Sequence, residues 1–240
     1  MKKKIITIGD IHGRTNWFKF ADIFMVYDKP NLPLDYNLYV FMGDYCDSFT
    51  ESNNNILDNL KKLVEFKTNY PDNVILLLGN HDLQYMYPLS IRQEYYSCSG
   101  FRPEAYWDLN IFFNENKDKF QMAFQYENYI WTHAGIHSGW YMVEFPYTST
   151  QIANDLNGAF NHNLKCLFDC GMRRGGNKKQ GGPFWADKLE TWLKPIKGYH
   201  QIVGHTAVKD IVTHFPYKRK DTSVTYVDCV EHDKYYVLEI

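Results

Sequence analysis

At 240 residues, with 45% hydrophobic and 22% charged side chains, the chain is long enough for one sizeable core and has an ordinary globular composition. A formal net charge of −2 supplies no basic field for nucleic acid, so no specific nucleic-acid binding is expected. The apolar run after Lys4 ends at Asp10, too short for a secretory signal, and no later stretch approaches a membrane span; a cytoplasmic protein without a membrane partner is expected.

The first predicted element is a strand, Ile5-Ile6-Thr7-Ile8, which empties into Gly9-Asp10-Ile11-His12-Gly13. Asp10 and His12 are alternate residues of an extended backbone and point the same way, and the flanking glycines allow a tight turn, which is the geometry of a metal site. Thr15 then caps a predicted helix with Trp17, Phe18, Phe20, Ala21, Phe24 and Met25 at helical spacing. A loop over 28–35, with Pro30 and Pro33, leads to a second strand, 38–42, ending in Gly43-Asp44-Tyr45-Cys46-Asp47.

An amphipathic helix is predicted over 52–70, with Ile56, Leu57, Leu60, Leu63 and Val64 on one stripe and Pro71 ending it. The strand 74–78 runs into Gly79-Asn80-His81-Asp82. The tyrosine-rich stretch 83–121, with a helix entered at Pro103, reads as a cap over a site or as aromatic core. The strand 129–132 ends in His133-Ala134-Gly135. A helix near 150–169 and a glycine-rich stretch around Arg173 and Arg174 follow, and the strand 201–203 ends in Gly204-His205-Thr206. In an α/β protein the carboxyl ends of the strands share an edge, so five short strands that each deliver a polar ligand type bring distant residues together. Cys46, Cys98, Cys166, Cys170 and Cys229 are odd in number and form no Cys-x-x-Cys pair, which favours free thiols in a reducing compartment.

The set GDIHG, GDYCD, GNHD, HAG and GHT, spanning residues 9–206, resembles the metallophosphoesterase superfamily and, within it, the phosphoprotein-phosphatase branch of bacteria and phages. Residues 224–228 and 235–240 resemble the closing strand pair of that branch. The resemblance implies a single α/β domain over 1–240, a calcineurin-like sandwich of central β-sheets flanked by helices with the site at the strand carboxyl ends. The tyrosine-rich stretch 83–121 and the similarly irregular 141–198 are expected to form cap or substrate-groove segments of that domain.

By the same resemblance, Asp10 and His12 ligate a first metal, Asp44 bridges two, and Asn80, His133 and His205 complete the second. Two divalent cations, Mn²⁺ or else iron or zinc, would hold a phosphate and activate water. His81 is the general-acid candidate and Asp47 its carboxylate partner. The sequence departs from the pattern twice: Ala207 stands where the wider superfamily often has a second histidine, and Ser48 where the branch has a phosphate-gripping arginine. Arg173, Arg174 or Arg14 is expected to supply that grip. His137, His162, His200, His214 and His232 carry no motif and read as ordinary polar residues. The leading expectation is a phosphomonoester hydrolase acting on phosphorylated protein or a small phosphoester. A diadenosine tetraphosphate-type hydrolase is the alternative, and a non-catalytic scaffold is disfavoured because every ligand position is present.

Overall fold

Period-two patterning along short apolar strands builds two sheets whose inner faces meet. The computed structural model describes residues 4–20, 37–90, 98–147, 149–216 and 219–240. In the first sheet β1 (Lys4–Ile8), β2 (Asn37–Phe41), β3 (Val74–Leu77) and β4 (Phe120–Gln121) run parallel. β10 (Tyr236–Glu239) closes that sheet antiparallel to β1, giving the order β10-β1-β2-β3-β4. The second sheet has the order β5-β6-β7-β9-β8, built from β5 (Ala123–Tyr126), β6 (Tyr129–Thr132), β7 (His200–Val203), β8 (Val212–His214) and β9 (Ser223–Tyr226). Here β6, β7 and β9 are parallel, and β5 and β8 pair antiparallel at the two edges.

Alternate strand residues point to opposite faces, so each strand feeds two cores. Ile5, Leu38, Val40, Met42 and Leu77 of the first sheet's strands meet Trp131, Ile202 and Val227 in a buried layer between the sheets. Trp131 Nε1 donates to Thr7 Oγ1 at 2.9 Å, so these two polar atoms buried in the layer satisfy each other. The residues between them in sequence, Ile6, Ile8, Tyr39, Phe41 and Leu76, face outward into a second cluster with Ile56, Leu60 and Leu63 of helix α1 (Asn53–Asn69). Burying such aliphatic side chains contributes roughly 2 kcal/mol each. Ser52, the first residue of the expected helix, caps α1 by accepting from Asn55 N.

The other α-helices with both bounds among the described residues are α2 (Asn80–Met86), α3 (Tyr106–Glu115), α4 (Ser138–Glu144), α5 (Ile152–Asn161) and α6 (Lys188–Leu193). Helical residues 17–20 begin the helix expected after Thr15; its expected residues Ala21, Phe24 and Met25, the loop 28–35, and Tyr95 and Tyr96 lie outside the described residues. The two closing strands do not pair with each other. β9 adds to the second sheet and β10 to the first, because the chain crosses between the sheets at Val227 and Asp228, which pass so close to Gly9 that a Cβ there would overlap them.

The stretch 83–121 divides between core and cleft: Tyr85, Tyr106, Leu109 and Phe113 are buried, while Cys98 and Ser99 reach the cleft described below. The stretch 141–198 likewise sends Phe184 into the core and Arg174 and Trp185 to the cleft. Among the described residues, no helix is long and apolar enough to cross a membrane.

Candidate active site

The carboxyl ends of β1, β2 and β3 in one sheet and of β6 and β7 in the other converge on a cleft of about 460 Å³. Asp10, His12, Asp44, Asn80, His81 and His205 line it, and His133 lies wholly buried against them. The turns that deliver these side chains are unusual. His12, Asp44, Asp47 and His205 all adopt left-handed φ, between 46° and 62°, a conformation that costs a non-glycine residue on the order of 1–3 kcal/mol. The strain is held by close packing of the backbone: a Cβ on Gly79 would overlap the Asp44 carboxylate, and one on Gly204 the Asp10 carboxylate.

The donor chemistry fits metal ions. His133 Nδ1 lies 2.8 Å from Met42 O, and a carbonyl only accepts, so Nδ1 carries the proton and Nε2 of the neutral ring is a lone pair. That lone pair faces Asn80 Oδ1 at 2.9 Å, His205 Nδ1 at 3.2 Å and Asp44 Oδ2 at 3.4 Å. With both rings neutral, at most one proton is available among four facing acceptor atoms. His12 Nδ1 is committed in the same way, to Cys46 O at 3.0 Å and Asp47 O at 2.9 Å, which turns its Nε2 towards Asp44 Oδ2 at 3.8 Å. Two groups of clustered ligand atoms result, Asp10 with His12 and Asp44, and Asp44 with His133 and His205, sharing Asp44. His205 Nε2 is buried without a hydrogen-bond partner.

The electrostatics agree. Burial opposes charge on Asp44, yet the surrounding His133, His81 and His12 hold its carboxyl well below the usual range. Burial and the Asp228 carboxylate push Asp10 up. Burial, His133 and Arg174 push His205 down, which keeps its ring neutral. Burial also opposes charge on His133, but Asp44 and Asp10 raise it to about 9, so without a cation its Nε2 takes up a proton at the position where the neutral ring would offer a metal its lone pair.

His81 sits beside this cluster as a dyad with Asp47. Its Nδ1 is 2.7 Å from Asp47 Oδ2, and its backbone N–H donates to Asp44 Oδ1 at 2.9 Å. Burial disfavours the imidazolium, but the Asp44 and Asp47 carboxylates outweigh it and raise His81 to about 9.

The three arginines separate. Arg174 lines the cleft, its Nη2 donating to Thr206 Oγ1 at 2.6 Å and its Nε 3.1 Å from Asp187 Oδ2. Arg173 is exposed and is not among the cleft residues, and Arg14 pairs outward with Glu231 at 3.3 Å. Ser48 Oγ caps its own loop, accepting from Glu51 N at 3.1 Å.

The motifs assign no role to two residues of the site, Asp82 and Asp228. Asp82 is wholly buried and its carboxylate accepts from four backbone N–H groups: Gly79 and Asp44 at 2.9 Å, Tyr45 at 2.8 Å and Cys46 at 3.1 Å. It binds the turn after β2 to the turn after β3; an acid three residues past Gly79 at the head of a helix is the capping-box signal that could have found it. Asp228 also lines the cleft, and nothing in its local sequence marks it.

The model of the calcineurin-like phosphoesterase family matches residues 3–209. A 78-residue stretch is 35% identical to the serine/threonine-protein phosphatase PP1-delta of Caenorhabditis elegans, covering 32% of this chain and 22% of that protein. Among solved structures, a cold-active protein tyrosine phosphatase superposes with a TM-score of 0.61 at 18% identity, over 99% of this chain and 74% of its own. The cold-active protein-tyrosine phosphatase of a psychrophilic Shewanella species gives a TM-score of 0.59 at 18% identity, over 99% of this chain and 75% of its own. At that identity the likeness establishes the fold.

Proposed function

This chain belongs to the calcineurin-like phosphoesterase family, and we propose that it is a phosphoric ester hydrolase, a dinuclear-metal phosphomonoesterase of the protein serine/threonine phosphatase type. The observation that carries this reading is the pair of ligand clusters meeting on Asp44 in the cleft that also holds the His81–Asp47 dyad. Asp10, His12 and Asp44 would hold one cation, and Asp44, Asn80, His133 and His205 the other. Bound there, divalent cations, Mn²⁺ by preference, supply Lewis-acid polarisation of the phosphoryl group and a water acidified enough to attack near neutrality.

The chain's own residues do the rest. Arg174, held by Asp187 and Thr206, offers a guanidinium to the phosphoryl oxygens. His81, its protonated ring favoured and oriented by Asp47, gives its Nε2 proton to the departing oxygen. The deep burial of Asp44 and His133 keeps bulk water from screening these interactions.

Cleft charge favours a phosphomonoester over a dinucleoside polyphosphate. Arg174 is the one Lys or Arg among the described residues lining the cleft, and Asp10, Asp44 and Asp228 line it as well. Beyond the two proposed cations, one guanidinium matches one phosphoryl group, whereas a polyphosphate chain would require further positive side chains. Five free cysteines and the ordinary surface charge fit a reducing, cytoplasmic setting. The test is parallel turnover of a phosphoserine/phosphothreonine peptide, a phosphotyrosine peptide and diadenosine tetraphosphate with added Mn²⁺. The reading expects the highest kcat/KM on the first, and preference for the dinucleotide would overturn it.

A further inference from the structure

Asp47 is gripped from three directions, and two of the grips come from residues outside the ligand and dyad sets. Its Oδ2 accepts from Gln84 Nε2 as well as from His81, and its Oδ1 accepts from the Tyr85 hydroxyl. Gln84 and Tyr85 follow His81 by three and four residues on α2, so one turn of helix returns both side chains to the partner of the histidine that begins it. Each is itself held by the segment 98–102: Cys98 N donates to Gln84 Oε1 at 3.2 Å, and Arg102 N donates to Tyr85 Oη at 3.0 Å. The Arg102 guanidinium then bonds the loop that follows Asp47, donating to Ser48 O, to Glu51 O at 2.8 Å and to Asn53 Oδ1 at 2.7 Å.

This arrangement gives Arg102 a different task from Arg174. Its donors are turned onto two backbone carbonyls and a side-chain amide, inside the loop where Ser48 lacks a guanidinium, and not into the cleft. Burial and the Asp47 carboxylate push the Tyr85 phenol up, so it stays a donor. A carboxylate receiving three donors in a buried site is confined to one rotamer, and so is the imidazole that donates to it.

We infer that Gln84, Tyr85 and Arg102 are positioning residues for the His81–Asp47 dyad, and that the segment 98–102 sets the geometry of proton delivery to the leaving group. The inference rests on the acid role proposed for His81. It requires that loosening the grip harm substrates whose leaving oxygen needs a proton more than those whose leaving group departs unaided.

The experiment compares phenyl phosphate with p-nitrophenyl phosphate for Tyr85→Phe, Gln84→Met and Arg102→Lys, with His81→Asn as reference, metal content and melting temperature being measured for each. Each positioning variant is expected to bind metal in the wild-type stoichiometry and to lose about tenfold more kcat on phenyl phosphate than on p-nitrophenyl phosphate, a fraction of the roughly 10²–10⁴-fold that a general acid supplies. Equal losses on the two substrates, or none, in folded Tyr85→Phe and Gln84→Met would overturn the inference while leaving the acid reading intact. If His81→Asn itself shows no dependence on the leaving group, the acid reading fails and this inference with it. Should Tyr85→Phe fold poorly, Gln84→Met and Arg102→Lys carry the same comparison.

Discussion

The backbone N–H of His205 donates to both carboxylate oxygens of Asp10, at 2.9 and 3.1 Å, joining the carboxyl end of β7 in one sheet to that of β1 in the other. Ligand candidates from both sheets therefore share one cleft, and cations bound there would cross-link the sheets. Chelation is expected to lower the melting temperature as well as activity, since a ligand at a hundredfold excess over its Kd stabilises by about 2.7 kcal/mol. Thermal scans with chelator and after Mn²⁺ addition check this; full activity on p-nitrophenyl phosphate after exhaustive chelation would remove the metals from the mechanism.

Asp44 belongs to both ligand groups, so Asp44→Asn should lower the bound metal from two equivalents and abolish turnover together. Metal analysis of the purified variant decides it. Retention of two equivalents would end the bridging assignment.

At Gly79 even a methyl group has no room, because it would collide with Asp44's carboxylate and backbone nitrogen. Gly79→Ala should shift Asp44 and so lose metal and activity without any change in charge. A Gly79→Ala protein with wild-type kcat/KM would show that the turn after β3 adapts.

Asp82 satisfies four buried backbone donors at once. Asp82→Ala strands them and should destabilise the fold by about 2–4 kcal/mol, read from urea unfolding in the presence of chelator so that metal binding does not enter. A loss below the error of the extrapolation would mean that water replaces the carboxylate.

If Arg174 grips the phosphoryl oxygens, Arg174→Lys should reduce kcat/KM on a phosphopeptide nearly as much as Arg174→Ala, because an ammonium cannot form the two-pronged contact. Arg173, exposed and away from the cleft, should tolerate both changes. Equal rates for all four variants would leave phosphate binding to the metals alone.

Much of this molecule is determined locally, and that part was legible in the sequence. Runs such as Ile5 to Ile8 and Val74 to Leu77 declare strands buried on both faces, Ser52 declares a helix start, and the Gly-Asp and Gly-Asn turns after the strands declare where ligand-type side chains emerge. These features depend on neighbours a few residues apart, which is the range over which periodicity and capping act. The partition of the strands between two sheets, the separation of β9 from β10 and the edge strands β4, β5 and β8 do not, since pairing is chosen by packing across the whole chain. The same holds in the cleft. Only the tertiary structure decides that Arg174 and not Arg173 enters it, that Asp82 closes two turns around Asp44, and that residues 98–102 hold the side chains gripping Asp47. A one-residue step along the short 3-10 turn Met172–Arg174 takes a side chain from solvent to cleft, and a hydrogen bond between positions such as 10 and 205 leaves no local pattern, because its partners become neighbours only when the sheets pack.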